Sequence, residues 1–393
     1  MITMYFLKIS SVISKLLFLI IVIPQLDKGG FGDYYYIVTI ALIISRLISF
    51  SNEEFIPLNK KGESNENVFF TFYLIIAFFN LLSFFLSFFI VESYIYILSL
   101  SLSIASSVTL GGMIRVNNPK GYSFLSNFPF LLYLLILTQV NNIEISVLMS
   151  SFSFAFIMCQ LIFIPSLFRC YSFSSLYDIN KVYFTYEAIK VWGGKTLSNI
   201  FVIANLRVVV IAAYITGNGS DQLAIALTIA EVFWQLMMVW VEKKYSFCML
   251  TVRYIETYVK LIKQFFVLII IALLLLFFGY SLIKVEKFNL VIASYIPIDL
   301  RYINVYLSGG VMAIGFTFLS FARIVIFSLE KFHSFKVSSF YMFQAATFFA
   351  LLLIVTLLFF IYPNPIYLFL CQALIFITLS LTFLYISLGK TFR

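Results

Sequence analysis

The sequence predicts an all-α polytopic membrane protein of about twelve transmembrane helices in two six-helix lobes around a central cavity, both termini cytoplasmic. Three observations lead there. Of 393 residues, 62% are hydrophobic and only 11% charged, with a mean hydropathy of +1.04, whereas an ordinary soluble domain carries roughly 25% charged residues. The apolar residues fall in runs long enough to cross a hydrocarbon core, about 20 residues each. The Lys and Arg residues sit almost entirely in alternate connections between those runs.

In chain order the expected spans are 5–25, 31–50, 68–90, 94–114, 122–140, 145–167, 197–216, 222–241, 264–283, 302–322, 337–361 and 366–388. Turn chemistry punctuates them, as in "LDKGGFGD", "VNNPKGY", "TGNGSD" and "YPNP". The first apolar run is too long for a cleavable leader and lacks a small-residue cleavage site, so the first span is expected to be retained.

Short loops rich in Lys and Arg remain cytoplasmic. With the N-terminus inside, eighteen of the 26 basic residues fall in inner segments, and Lys28, Lys284, Lys287 and Arg301 in outer ones. The remaining four, Lys8, Lys15, Arg46 and Arg207, lie inside spans. The longest inner connection suggests a division into an N-terminal lobe 1–168, a cytoplasmic connecting segment 169–196 and a C-terminal lobe 197–393. Segments 169–196 and 242–263 read as interfacial connectors. Any function is expected to reside in the helical bundle itself.

A charge near mid-bilayer costs about 2.5–3.5 kcal/mol on insertion scales and marks a functional site by default. Lys8 and Arg46 lie near the inner ends of their spans, where snorkelling to the headgroups is open to both. Lys15 and Arg207 lie ten residues into theirs, near the midplane at about 1.5 Å per residue. Lys8, Ser11 and Lys15 follow i, i+3, i+7 on one helical face, and Thr39 and Arg46 lie seven apart on the next span. Lipid cannot satisfy such polar stripes, so they should face the interior or a hydrated cavity.

Thr228, Glu231 and Gln235 form a further stripe, with Glu231 at the depth of Arg207. Two readings stay open: a buried Arg207–Glu231 ion pair, or a Glu231 that titrates and couples transport to protons or another cation. Lys15 has no acidic residue at similar depth in its own half. It is either a neutral amine or positive charge offered to an anionic ligand.

The stretch "KISSVISKLLFLIIVIPQLDKGGFGDYYYIVTIALIISRLISF" runs from the first span through a Gly-Phe-Gly turn into a Tyr-rich second span. It resembles the start of Wzx-type O-antigen and polysaccharide repeat-unit flippases, within the multidrug/oligosaccharidyl-lipid/polysaccharide exporter superfamily. "SNIFVIANLRVVVIAAYITGNGSDQLAIA" is a weaker echo where the second lobe of such proteins begins. Family members often carry an acidic residue beside the span-seven arginine; here Asn205 and Leu206 precede Arg207.

The resemblance implies a multi-pass protein of the bacterial inner membrane that flips an undecaprenyl-pyrophosphate-linked oligosaccharide from the cytoplasmic to the periplasmic leaflet by alternating access. Lys15, Arg46, Lys8 and Arg207 would form its cationic cavity, and Glu231 would supply the ion pair or the proton or cation coupling. Membrane lipids are implied partners, and a polysaccharide polymerase and chain-length regulator are plausible ones. Tyr34, Tyr35, Trp234 and Trp240 are candidates to stack on sugars, although interfacial anchoring is the expectation for Tyr34, Tyr35 and Trp240.

Other function classes fit less well. A membrane polymerase or ligase should present catalytic Arg and His in a large outer loop, but the single histidine, His333, falls in an inner connection. Nucleophile–base, paired-carboxylate and metal-ligand spacings are absent, so neither an enzyme, a cofactor nor a metal is expected. Cys159, Cys170, Cys248 and Cys371 are scattered without CxxC spacing. The net charge of +9 is explained by topology, with no patch suited to nucleic acid. A drug or cation exporter should favour acidic residues in the first-half spans, where this chain is basic. A passive channel should show a filter-like loop, and none is present.

Overall fold

Gly29 caps the start of the second helix with φ at +96°, a conformation that costs glycine little. That helix, α2 (Gly30–Ser49), follows α1 (Ile2–Ile21), and the chain continues through α3 (Glu63–Leu86), α4 (Ser93–Arg115), α5 (Pro119–Leu137), α6 (Ile145–Leu161), α7 (Ile164–Cys170) and α8 (Leu176–Tyr183). A π-turn at Ile189–Gly193 leads into α9 (Gly194–Thr216), then α10 (Ser220–Cys248), α11 (Gly309–Phe318), α12 (Val337–Ile361) and α13 (371–378). The computed structural model describes residues 2–22, 25–27, 29–52, 63–115, 118–140, 142–183, 186, 189–216, 220–248, 267, 274, 309–318, 337–361, 371–378 and 381.

Among the described residues every regular element is helical. Among them, five helices are long and apolar enough to cross a membrane, or six if α6 and α7 form one broken span, which points to a multi-pass membrane protein. The expected spans at 31–50, 94–114 and 197–216 correspond to α2, α4 and α9, and 337–361 coincides with α12. The ninth expected span, 264–283, lies outside the described residues except Val267 and Leu274. The segment 242–263 is helical to Cys248 and otherwise outside them.

Two expectations change. The sixth span is broken, with α6 and α7 meeting at 43°. Pro165 explains the break: it lacks an N–H, and its ring collides with the carbonyl of Leu161 one turn back. The eighth span is longer than expected, since the 29 residues of α10 extend for about 43 Å at about 1.5 Å each, well past a hydrocarbon core of about 30 Å.

Local chemistry sets several helix ends. Asn118 caps α5, its side chain accepting from the Gly121 N–H at 2.8 Å, while Pro119 occupies a position that needs no donor. The first-turn N–H groups of α2 take their cap from a residue far away in sequence. Gly29 N–H and Gly32 N–H donate to Asp221 Oδ2 and Oδ1, both at 2.7 Å. A hydrogen bond to a charged acceptor contributes about 1.5–3 kcal/mol, so this carboxylate is a strong tie between α2 and the start of α10. At the other end of α2, Phe50 and Ser51 have φ of +51° and +54°. That backbone is held by Asn199 Nδ2 donating to Ser51 Oγ at 3.0 Å and by the Phe50 ring set edge-on against Trp192 at 5.9 Å.

In the first half, α4 packs against α2, α3, α5 and α6. Its buried serines explain that central position, because lipid would leave their hydroxyls unsatisfied. Ser103 donates to Asn80 Oδ1 at 2.7 Å, and Gln160 Nε2 donates to the Ser103 carbonyl at 3.2 Å, tying α3, α4 and α6. In the second half, small residues permit close backbone approach, as expected where no solvent drives helix association. A Cβ added at Gly309 would lie 2.6 Å from the Ala226 carbonyl oxygen. One apolar cluster joins the halves through α1, α2 and α5 on one side and α9, α10 and α12 on the other.

Gly309→Ala should therefore force α11 away from α10 and lower the thermal midpoint in detergent by several degrees. Gly193→Ala, whose added Cβ has no heavy atom within 4 Å, should leave it unchanged.

Candidate functional site

One face of α2 explains where the bundle leaves space. Phe31, Tyr34, Tyr35, Val38, Leu42 and Arg46 recur at helical spacing and all line one cavity of about 520 Å³ between the halves. The opposing walls carry Lys15 from α1, Phe130 and Tyr133 from α5, Arg207 from α9, Glu231 and Gln235 from α10, and Phe316 from α11. This volume falls within the range of about 300–1,000 Å³ usual for small-ligand sites.

The cavity differs at its two ends. Towards the α1–α2 turn, Phe18 sits 5.4 Å from Tyr34 and 5.5 Å from Tyr133, and Phe31 stacks on Tyr34 at 5.9 Å. These rings pack against one another at that end. Towards the opposite end the lining continues to Arg46, in the last turn of α2, and Tyr122, in the first turn of α5.

At mid-depth Arg207 and Glu231 form an ion pair. Tyr35 OH donates to Glu231 Oε1 at 3.0 Å, and the Arg207 guanidinium lies 5.1 Å from the Tyr35 ring centroid. Arg207 Nη1 also donates to Thr39 Oγ1 at 3.4 Å. Two residues of α2 thus hold a pair contributed by α9 and α10. Arg207 is 8% exposed; a charge so enclosed requires compensation, and removing one partner of a buried pair typically costs about 3–5 kcal/mol.

Lys15 lies on the same cavity, with Nζ 4.4 Å from the Phe130 ring centroid, a cation–π arrangement. Among the described residues no carboxylate forms an ion pair with it. Its charged neighbours are Glu231 and Arg207, across the boundary between halves. This corrects the expectation of a lysine remote from negative charge: a search confined to its own half omits the half that faces it.

Lys8 does not line the cavity. It shares the helical face of Lys15 but sits seven residues, about 10.5 Å, nearer the end, with Arg115 as its charged neighbour. Ser11 is likewise absent from the lining. The stripe of Thr228, Glu231 and Gln235 does face the cavity, although the Thr228 hydroxyl donates to its own helix at Ala224, 2.8 Å away. Tyr34 and Tyr35 are buried wall residues rather than interfacial anchors, since the α2 face that carries them turns inward. Trp234 lines the cavity beside Phe316. The side chain of Trp240 and all of His333 lie outside the described residues.

Among the described residues, the charged lining thus comprises three basic residues, Lys15, Arg46 and Arg207, and one acidic residue, Glu231. Among the described residues no three His, Cys, Asp or Glu side chains converge as metal ligands. Sequence reasoning missed the inward role of Tyr35 and the part played by Asp221. The Tyr35–Thr39–Arg46 face, at helical spacing, was a usable signal for the first; a cap supplied from 192 residues away leaves no local signal for the second.

No protein-family model matches the chain, and no curated protein matches it. Among solved structures it is similar to the crystal structure of MATE in complex with Br-NRF, with 12% identity over 97% of this chain and 95% of that one and a TM-score of 0.43.

Removing one partner of the central pair should harm folding more than removing both. Arg207→Met alone should reduce the monodisperse yield in detergent, while Arg207→Met with Glu231→Leu should restore part of it. Size-exclusion chromatography at matched expression reads the difference.

Proposed function

We propose that the protein is a flippase that carries an undecaprenyl-pyrophosphate-linked oligosaccharide from the cytoplasmic to the periplasmic leaflet of a bacterial inner membrane by alternating access. The observation that carries this reading is the cavity between the halves, whose lining, among the described residues, holds three basic residues against one acidic residue. A lipid-linked sugar has a polar, anionic head that hydrocarbon excludes and a tail that can remain in lipid. A mid-membrane cavity with excess positive charge suits the head, and two helical halves moving about it supply a path.

Lys15 and Arg46 are assigned to the pyrophosphate or acidic sugars. Arg207 contributes to the field while tied to Glu231, and Glu231 is the candidate for proton or cation coupling. The ring faces of Tyr34, Tyr133 and Trp234 give the sugars apolar surface to stack on. The Lys and Arg asymmetry of the loops supports a periplasmic position for the aromatic end at the α1–α2 turn. A polysaccharide polymerase and a chain-length regulator are the proposed partners.

A second reading, export of a drug or small cation, has Glu231 in its favour, because a carboxylate on the cavity wall attracts cations. Its engagement with Arg207 and Tyr35 weighs against it. A polymerase or ligase is distinguished by where intermediates collect. Deletion of the gene should accumulate single lipid-linked repeat units on the cytoplasmic leaflet; accumulation on the periplasmic leaflet would indicate a polymerase, and no accumulation would leave the exporter.

At matched protein levels, Lys15→Ala should abolish polysaccharide export and Lys15→Arg should retain part of it, because Arg keeps the charge. Normal export by Lys15→Ala would remove Lys15 from the binding role.

A further inference from the structure

We propose that Asp221 is the latch of a gate at the α1–α2 turn end of the cavity, holding that end shut by capping α2 from the opposite half. This rests on the alternating-access reading and adds the element that such a cycle must break. Asp221 belongs to the first turn of α10, yet both its carboxylate oxygens serve α2, accepting from Gly29 and Gly32 at 2.7 Å each. Gly29 has no side chain with which to cap α2 itself. The first-turn N–H groups have no partner within their own helix and carry the positive end of its dipole. Separating the halves here therefore exposes a carboxylate and two helix donors together.

Two further features belong to the same closure. Gly32 has no room for a side chain, since an added Cβ would lie 2.8 Å from Ser220 Cβ and 3.2 Å from Asp221 Oδ1. The backbone of α2 at Gly32 thus packs directly against the Ser220 and Asp221 side chains of α10. One turn deeper, Tyr36 of α2 stacks on Tyr214 of α9, with centroids 4.1 Å apart and planes inclined by 14°. Below these contacts lie the packed rings at this end of the cavity, so releasing Asp221 frees the α2 end that carries Phe31 and Tyr34. The latch is polar and rim-placed, so water entering the rim can take over its hydrogen bonds, unlike those of the Arg207–Glu231 pair deep in the wall.

The test uses the full chain with Cys159, Cys170, Cys248 and Cys371 replaced and Val38→Cys as a cavity reporter, in vesicles of both orientations treated with a membrane-impermeant maleimide. With Asp221 present, labelling should proceed from the open end and be slow from the turn end. Asp221→Ala should speed labelling from the turn end about tenfold or more, the shift expected when hydrogen bonds to a charged acceptor are lost, and Asp221→Asn should fall between.

Gly32→Ala should act in the same direction with Asp221 intact, and Ser220→Gly should suppress it by removing the side chain that the new methyl meets. A Tyr36→Cys, Tyr214→Cys disulfide should abolish the turn-end labelling of Asp221→Ala. The proposal is overturned if Asp221→Ala is monodisperse yet labels from the turn end at the unmodified rate, or if Ser220→Gly fails to suppress Gly32→Ala. Should both Asp221→Ala and Gly32→Ala fail to yield monodisperse protein, a merely structural role is indicated and the latch is rejected. The readout needs no cargo, so loss of the flippase reading leaves this outcome interpretable, and loss of the latch leaves the cavity charges as they are.

Discussion

A guanidinium and a carboxylate enclosed within a membrane bundle have to find each other, and the middle of this protein is organised around that requirement. Arg207 and Glu231 come from adjacent antiparallel helices of the second half and are completed by Tyr35 and Thr39 from the first. The pair is therefore a joint between halves as well as a means of burying two charges. Its presence fixes the face that α2 turns towards α9 and α10. That choice of face puts Val38, Leu42 and Arg46 on the cavity and brings Phe31 and Tyr34 to its end at the α1–α2 turn.

The remaining charges take their meaning from this joint. Lys15 reaches the same space from α1 and rests against Phe130, so its positive charge adds to a wall where Glu231 is already engaged. Arg46 extends the basic lining towards the end opposite the α1–α2 turn. Among the described residues the lining carries three basic groups to one carboxylate, and the proposed anionic cargo rests on this excess more than on any single residue.

Polar side chains elsewhere in the bundle do structural work under the same rule. Ser103 and Ser106 of α4, with Asn80 and Gln160, satisfy one another inside the first half, because lipid offers no alternative partner. The second half relies on glycine and alanine, where backbones touch directly at Gly309 and Gly315. The two ends of α2 are tied to the second half by different means: a carboxylate cap at Gly29 and Gly32, and a side-chain bracket of Asn199 and Trp192 around Phe50 and Ser51.

The sequence by itself determined the class of protein and the placement of most described helices, because a run of apolar residues bounded by turn chemistry reports directly on the bilayer's thickness. It also singled out Lys15, Arg46, Arg207 and Glu231, since a charge within such a run is conspicuous whatever surrounds it. Tertiary structure alone decided which of these share a space. Helical periodicity places Lys8 and Lys15 on one face, but only the depth of the cavity separates them. The break before Pro165 was missed, because 145–167 reads as one apolar run, although the proline supplies its cause. Asp221 is the clearest case, since a local pattern carries no trace of a helix N-terminus 192 residues earlier that it will cap. Hydrophobicity is a property of each residue and is written along the chain; compensation of charge and of orphaned backbone donors is a property of neighbours, and neighbours exist only once the halves have met.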